Sequence, residues 1–255
     1  MRVLILGGTA QARELAEALR HRGRDRVISS LAGRTSQPAL PDGEVRVGAF
    51  GGVDGLVRYL RAESIDVLVD ATHPFADTMS AHAALAAEAA GVPLVALRRP
   101  GWSAQPGDRW VRVSELAGAV RAVAGLPEPG TVFLTIGRQE VHVFAGDDRH
   151  AFLIRSVDPP GGPLPPRHTV VLGRGPFTVD SEIALLREYS VTALVSRNSG
   201  GTAGAAKLVA ARQCGVPVIM IDPPVAPAGI TSAATVTQIL ELLDRTVRDR
   251  GAGAV

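Results

Sequence analysis

The chain has 255 residues, 46% of them hydrophobic but only 4% aromatic, so its core draws on Val, Leu, Ile and Ala and is large enough for one large or two small α/β domains. A formal net charge of +2 gives no reason to expect a nucleic-acid partner, and the single cysteine, Cys214, excludes an internal disulfide and argues against a thiolate-held metal. The Ala-rich stretch 81–91 contains His82 and Glu88 and does not read as a membrane span, and residues 2–6 are too short for a secretory signal, so a cytoplasmic location is expected.

Strands are expected near 2–6, 26–30, 44–47, 66–70 and 93–97, with helices near 10–20, 53–62 and 75–90. Pro74 suits the start of the third helix, where its missing N–H costs little, and Gly91 suits its end. Arg98-Arg99-Pro100-Gly101-Trp102 breaks the pattern, and a short strand near 109–113 and a helix near 114–124 follow. Leu126-Pro-Glu-Pro-Gly130 has the composition of an interdomain linker. The alternation restarts with strands near 131–136, 151–155, 169–172, 191–196 and 216–221, and helices near 179–189, 202–213 and 233–246. The expected fold class is α/β: two Rossmann-like parallel-sheet domains, residues 1–125 and 126–255, with the active-site cleft between them.

In open α/β sheets the carboxyl ends of the strands form the ligand crevice. Three polar clusters follow strands of the first half. Gly7-Gly8-Thr9-Ala10 joins an apolar strand to a helix, an arrangement in which backbone N–H groups and the helix dipole meet a pyrophosphate. Thr9 and Ala12 stand at the second and third glycine positions of the dinucleotide fingerprint, so the turn by itself serves equally as a plain βα connection. Ser29-Ser30-Leu31-Ala32-Gly33-Arg34 occupies the place where an acidic residue would select a free ribose hydroxyl. A hydroxyl and a guanidinium suit a 2′-phosphate instead, which favours NADPH over NADH; a solvated loop arginine is the alternative. Asp70-Ala71-Thr72-His73-Pro74-Phe75 offers Asp70 and His73 for acid–base work or for the nicotinamide side, or else a helix cap and a structural histidine. The six histidines show no metal-ligand spacing, and no metal is expected.

The second half adds Gly137-Arg138-Gln139-Glu140, Gly173-Arg174-Gly175-Pro176-Phe177 and Ser196-Arg197-Asn198-Ser199-Gly200-Gly201, the last followed by Lys207, the only lysine of the chain. Each cation alone is an ordinary surface charge. Together Arg138, Arg174, Arg197 and Lys207, with donors from Ser199 and Gly200, suit a polyanionic ligand on one predicted edge. A G-x-S-x-G elbow and a Walker loop are both missing, which disfavours a nucleophilic hydrolase or a P-loop kinase.

Gly7-Gly8-Thr9-x-x-Ala12-Arg13, Asp70-Ala-Thr-His-Pro-Phe75, Leu97-Arg-Arg-Pro-x-Trp102, Thr135-Ile-Gly-Arg138, Gly173-Arg-Gly-Pro-Phe177 and Ser199-Gly-Gly201…Lys207 occur in this order. With them the chain resembles the precorrin-6A reductase family of cobalamin biosynthesis, which includes the cobalt-precorrin-6A reductases, from about residue 2 to 222. Arg197 departs from the lysine expected in many relatives but keeps the charge. The resemblance implies reduction of one double bond of precorrin-6A by NADPH, giving precorrin-6B. It implies that Gly7, Gly8, Thr9, Ala10 and Arg13 hold the pyrophosphate region. Ser30, Gly33 and Arg34 would hold the adenosine phosphate, and Thr72, His73 and Phe75 would flank the nicotinamide. Arg138, Arg174, Arg197, Ser199, Gly200 and Lys207 would then orient the carboxylates of a tetrapyrrole. The partners expected are that small molecule and, transiently, neighbouring enzymes of its pathway, with no nucleic acid and no membrane. Another NADPH-dependent reductase of a polycarboxylate, or a non-catalytic NADPH-binding module, are the alternatives.

Overall fold

The structure is a computed structural model and describes residues 1–33, 40–225 and 229–252. In chain order it contains β1 (Arg2–Leu6), α1 (Ala10–His21), β2 (Arg26–Leu31), β3 (Glu44–Val47), α2 (Gly52–Ala62), β4 (Val67–Asp70), α3 (Asp77–Ala90) and β5 (Leu94–Leu97). Then come β6 (Trp110–Val113), α4 (Leu116–Ala124), β7 (Thr131–Leu134), a short 3-10 turn at Val141–Phe144, β8 (Ala151–Ser156) and β9 (His168–Leu172). The chain continues with α5 (Val179–Glu188), β10 (Val191–Arg197), α6 (Ala206–Gln213), β11 (Val218–Ile221), β12 (Thr231–Ala233) and α7 (Val236–Ala252).

Two six-stranded sheets result, ordered β3-β2-β1-β4-β5-β12 and β9-β8-β7-β10-β11-β6, and every pairing in both is parallel. Both follow the doubly wound order in which the direction of winding reverses at the first strand, beside which ligands bind. The expected α/β class with two Rossmann-like sheets is therefore the class observed.

β1 shows why the first sheet is covered on both faces. Alternate residues of a strand point to opposite sides. Val3 and Ile5 meet Leu15 and Leu19 of α1 and Ile239 and Leu243 of α7, while Leu4 and Leu6 meet Leu56 and Leu60 of α2 and Ala83 of α3. A strand buried on both faces reads as an unbroken apolar run, which is how residues 3–6 look in the sequence.

The structure moves two expectations. The chain divides into one unit of residues 1–99 with 225–255 and another of residues 100–224, so the boundary expected at 125/126 falls inside the second unit. The reason is strand pairing: β6 completes the second sheet on β11, and β12 completes the first on β5. Leu126–Gly130 merely ends α4 and delivers the chain to β7. In addition, α3 starts at Asp77 rather than at Pro74, because Ala76 donates its N–H to the His73 carbonyl and closes a separate turn first.

Helix α2 carries a test of packing against local preference. Gly55 is buried in its first turns, and a Cβ there would overlap the backbone carbonyl of Phe50, which has no free rotor to move away. Gly55→Ala gains roughly 1 kcal/mol of helix propensity but suffers an overpacking cost of about 1–3 kcal/mol or more. The variant is expected to unfold at lower urea concentration than the wild type; a higher midpoint would show that the turn at Phe50 yields.

Candidate functional site

In the first unit the glycine turn, the segment after β2 and the Asp70–Phe75 segment all lie at the carboxyl ends of neighbouring strands, since β2, β1 and β4 are adjacent and parallel. Gly8 adopts φ +107 with nothing within 4 Å of a would-be Cβ, a conformation for glycine alone, opening onto unfilled space. Thr9 caps α1, its Oγ1 accepting from the Ala12 N–H at 3.1 Å and donating to the Ala71 carbonyl at 2.9 Å. The hydroxyl therefore works for the fold, tying the glycine turn to the end of β4. By helix geometry the N–H groups of Ala10 and Gln11 have no carbonyl one turn earlier, and the first turn of α1 contains no acidic residue. These groups fit a phosphate. Arg13 is half-buried one turn further on.

Asp70 is 1% exposed. Its Oδ1 accepts from the Thr72 N–H at 3.1 Å and the Thr72 hydroxyl at 2.6 Å, and its Oδ2 pairs with the Arg98 guanidinium. Arg98 also donates to the Asp70 carbonyl at 3.2 Å and to Ser80 Oγ at 2.7 Å. Asp70 does not cap α3, whose N-cap is Ala76. Its Oδ2 ties the end of β4 to the chain just past β5, and its Oδ1 holds the turn after β4. His73 is the more chemical member of the cluster. Its Nδ1 accepts from the Phe75 N–H at 3.3 Å, so the neutral ring carries its proton on Nε2, and the two rings lie 5.8 Å apart. Ser30, at the end of β2, is buried and receives a hydrogen bond from Arg46 at 3.1 Å. Gly33 has φ +72. Arg34 lies outside the described residues.

In the second unit the segments after β7, β8, β9 and β10 again share the carboxyl edge. Here the expected cations are largely partnered. Arg138 approaches Asp158 at 3.8 Å, and Arg197 pairs with Glu140. Arg174 is exposed and Ser199 half-buried, while Gly200 is buried at φ +64. Lys207 sits in the first turn of α6, half-buried, with Nζ 5.6 Å from the Trp102 ring. Burial, with the nearby positive Arg155, pushes its amine down to about 8, and Glu182 opposes that shift.

Sequence reasoning missed Arg155 and gave no role to Asn198, though both build this edge. Arg155 stacks on Phe177 at 3.9 Å and bonds Glu182 at 2.8 Å, so it holds the Gly173–Phe177 loop against the body of the unit. Asn198, 4% exposed, accepts from the Trp102 N–H at 2.6 Å and donates to the Trp102 carbonyl at 3.1 Å, and the indole N–H donates to the Gly201 carbonyl at 2.8 Å. These contacts join segments about a hundred residues apart, and no local pattern announces them. Among the described residues no group of three or more His, Cys, Asp or Glu is arranged to hold a metal ion, and no helix is long and apolar enough to cross a membrane.

A family model described as precorrin-6x reductase CbiJ/CobK matches residues 2–244. The chain belongs to this family. The precorrin-6A reductase of Rhodococcus erythropolis is 52% identical over 229 residues, covering 89% of this chain and 91% of that one. That of Rhodobacter capsulatus is 49% identical, covering 89% and 90%. A cobalt-precorrin-6A reductase from Priestia megaterium is 29% identical, covering 87% and 90%. A solved structure titled CobK precorrin-6A reductase superposes with a TM-score of 0.90 at 46% identity, covering 96% of this chain and 97% of that one. The family match takes in strands of both parallel sheets.

The Asp70–Arg98 pair gives the direct check on a positioning role. Arg98→Met keeps most of the stem and leaves the buried carboxylate uncompensated, which costs about 3–5 kcal/mol. Chemical denaturation of the variant should show that loss. A change below about 1 kcal/mol, the scale of an exposed pair, would mean that the pair does not hold the edge.

Proposed function

We propose that this chain uses NADPH to reduce one double bond of metal-free precorrin-6A, giving precorrin-6B. The observation that carries the reading is the chain-long relationship to precorrin-6A reductases. The larger share of identical residues with relatives whose names lack cobalt favours the metal-free substrate.

The first unit's edge fits the cofactor. Open space at Gly8 admits a phosphate close to the backbone, and the α1 N-terminus offers N–H groups and a positive dipole end. Gly7, Gly8, Thr9, Ala10 and Arg13 serve the pyrophosphate, Thr9 through the turn it braces. Ser30, Gly33 and Arg34 serve the adenosine phosphate. Thr72, His73 and Phe75 flank the nicotinamide, with the His73 Nε2 proton as a donor. When bound, NADPH supplies a hydride. The chain supplies position and electrostatics. Arg138, Arg174, Arg197 and Lys207, with Ser199 and Gly200, orient the acetate and propionate groups of the macrocycle through charge-assisted bonds. Beside Asp158 and Glu140, Arg138 and Arg197 keep further N–H groups for such carboxylates, since each fork carries five. The test is NADPH oxidation assayed in parallel with metal-free and cobalt-loaded precorrin-6A. Turnover should be faster with the metal-free form, and no NADPH consumption with either would overturn the reading.

Lys207 adds a prediction with a definite sign. Its folded value of about 8 lies below the ordinary 10.5. Between those values the folded chain binds fewer protons than the unfolded one, so stability rises with pH across that window. Below pH 8 the cost of holding the ammonium is fully present. Lys207→Met removes it and should be more stable at pH 7 by about 1–3 kcal/mol, as read from urea unfolding. The same variant should show a raised KM for the macrocycle at low salt. In the wild type KM should climb as pH rises through about 8, whereas the variant should lack that climb. An unchanged KM would remove Lys207 from the substrate site.

A further inference from the structure

We infer that Arg46, together with the Ser30 hydroxyl it holds, reads the 2′-phosphate of the cofactor and sets the preference for NADPH over NADH; the inference rests on the NADPH reading above. Ser30 and Arg46 are register partners near the carboxyl ends of β2 and β3. In a doubly wound nucleotide-binding sheet, the side chain that meets the adenosine ribose comes from this end of the second strand, where an acid selects a free 2′-hydroxyl. Here both strand ends lack one. The acidic residue of β3, Glu44, is two positions back and forms a two-point bond with Arg26 at 2.9 and 3.0 Å.

The geometry of Arg46 is that of a prepared anion reader. Nη1 donates to Ser30 Oγ at 3.1 Å and to the Gly48 carbonyl at 2.7 Å, and Nη2 donates to the Ala49 carbonyl at 2.9 Å. The guanidinium lies over the Phe50 ring at 3.8 Å, and Phe50 meets Tyr59 edge-on at 5.2 Å. Three of its five N–H groups are thus used to fix the plane of the fork. Among the described residues the Nε–H and the second Nη2–H have no partner, and no carboxylate neutralises the charge. Ser30, 6% exposed, accepts from Arg46 with its oxygen, which leaves its own hydrogen to donate. A cation held by neutral acceptors, next to a buried hydroxyl with a proton to give, matches a phosphate dianion. It gives nothing comparable to a ribose hydroxyl.

The experiment is calorimetric binding of NADPH and of NADH to the full-length wild type, Arg46→Met and Arg46→Lys, with thermal unfolding run alongside. Arg46→Met should weaken NADPH by roughly tenfold or more, the scale of one lost charged hydrogen bond, while NADH binding stays level. Arg46→Lys keeps a cation without the fork and should fall between the two; it also serves if the Met variant does not fold. A wild type that prefers NADPH, with the preference retained in both variants, would overturn the role of Arg46. Parallel loss of both cofactors would overturn it too, by showing that Arg46 only braces the turn through Gly48 and Ala49. A wild type without any preference for NADPH would sink the cofactor reading itself.

Discussion

The carboxyl-end edge of the first unit's sheet depends on one buried charge. A carboxylate with almost no exposure is tolerable only when a cation and hydrogen bonds engage its oxygens. Asp70 satisfies that condition through Arg98 from just past β5 and through both donors of Thr72. The consequence is geometric. The ends of β4 and β5 cannot separate, the chain after β4 is held in its turn, and the Ala71 carbonyl is presented to the Thr9 hydroxyl. Thr9 in turn caps α1. The glycine turn, the helix N-terminus and the His73 segment are therefore one connected construction.

The second unit manages charge differently. Three of its cations are paired near the carboxyl edge, Arg138 with Asp158, Arg197 with Glu140 and Arg155 with Glu182. Paired guanidinium groups hold their orientation and keep donors in reserve, since each has five N–H groups. Lys207, although Glu182 lies near enough to favour its charge, has no ion pair among the described residues. It faces an aromatic ring and a neighbouring arginine, in the first turn of a helix where the dipole also opposes a cation. Such a lysine costs the fold stability wherever it is charged.

Much of the fold was legible in the residues. The strands expected near 2–6 and 66–70 and the helix expected near 10–20 are β1, β4 and α1. What escaped was non-local. β12 has three residues, two of them Thr231 and Ser232, and it exists because β5 offers an unpaired edge. The proline pair in 126–130 looked like a boundary because composition reports a break in structure, not which sheet the next strand joins. The polar clusters at strand ends were visible as motifs. Their braces were not: Arg46 was one arginine among many until its register with Ser30 placed it, and Asn198 looked like loop polarity until it met Trp102. The contacts of Asp70 with Thr72 and Arg98 were equally invisible, since an acid after a strand looks alike whatever it bonds.

The most direct test of the central claim, a hydride passed from NADPH to the precorrin ring, is the fate of a label. NADPH carrying deuterium at the transferable position of its nicotinamide would be turned over with metal-free precorrin-6A, and the reduced product analysed by mass spectrometry. The account predicts one deuterium on a carbon of the product macrocycle. A reduced product without deuterium, formed while the cofactor is consumed, would contradict it.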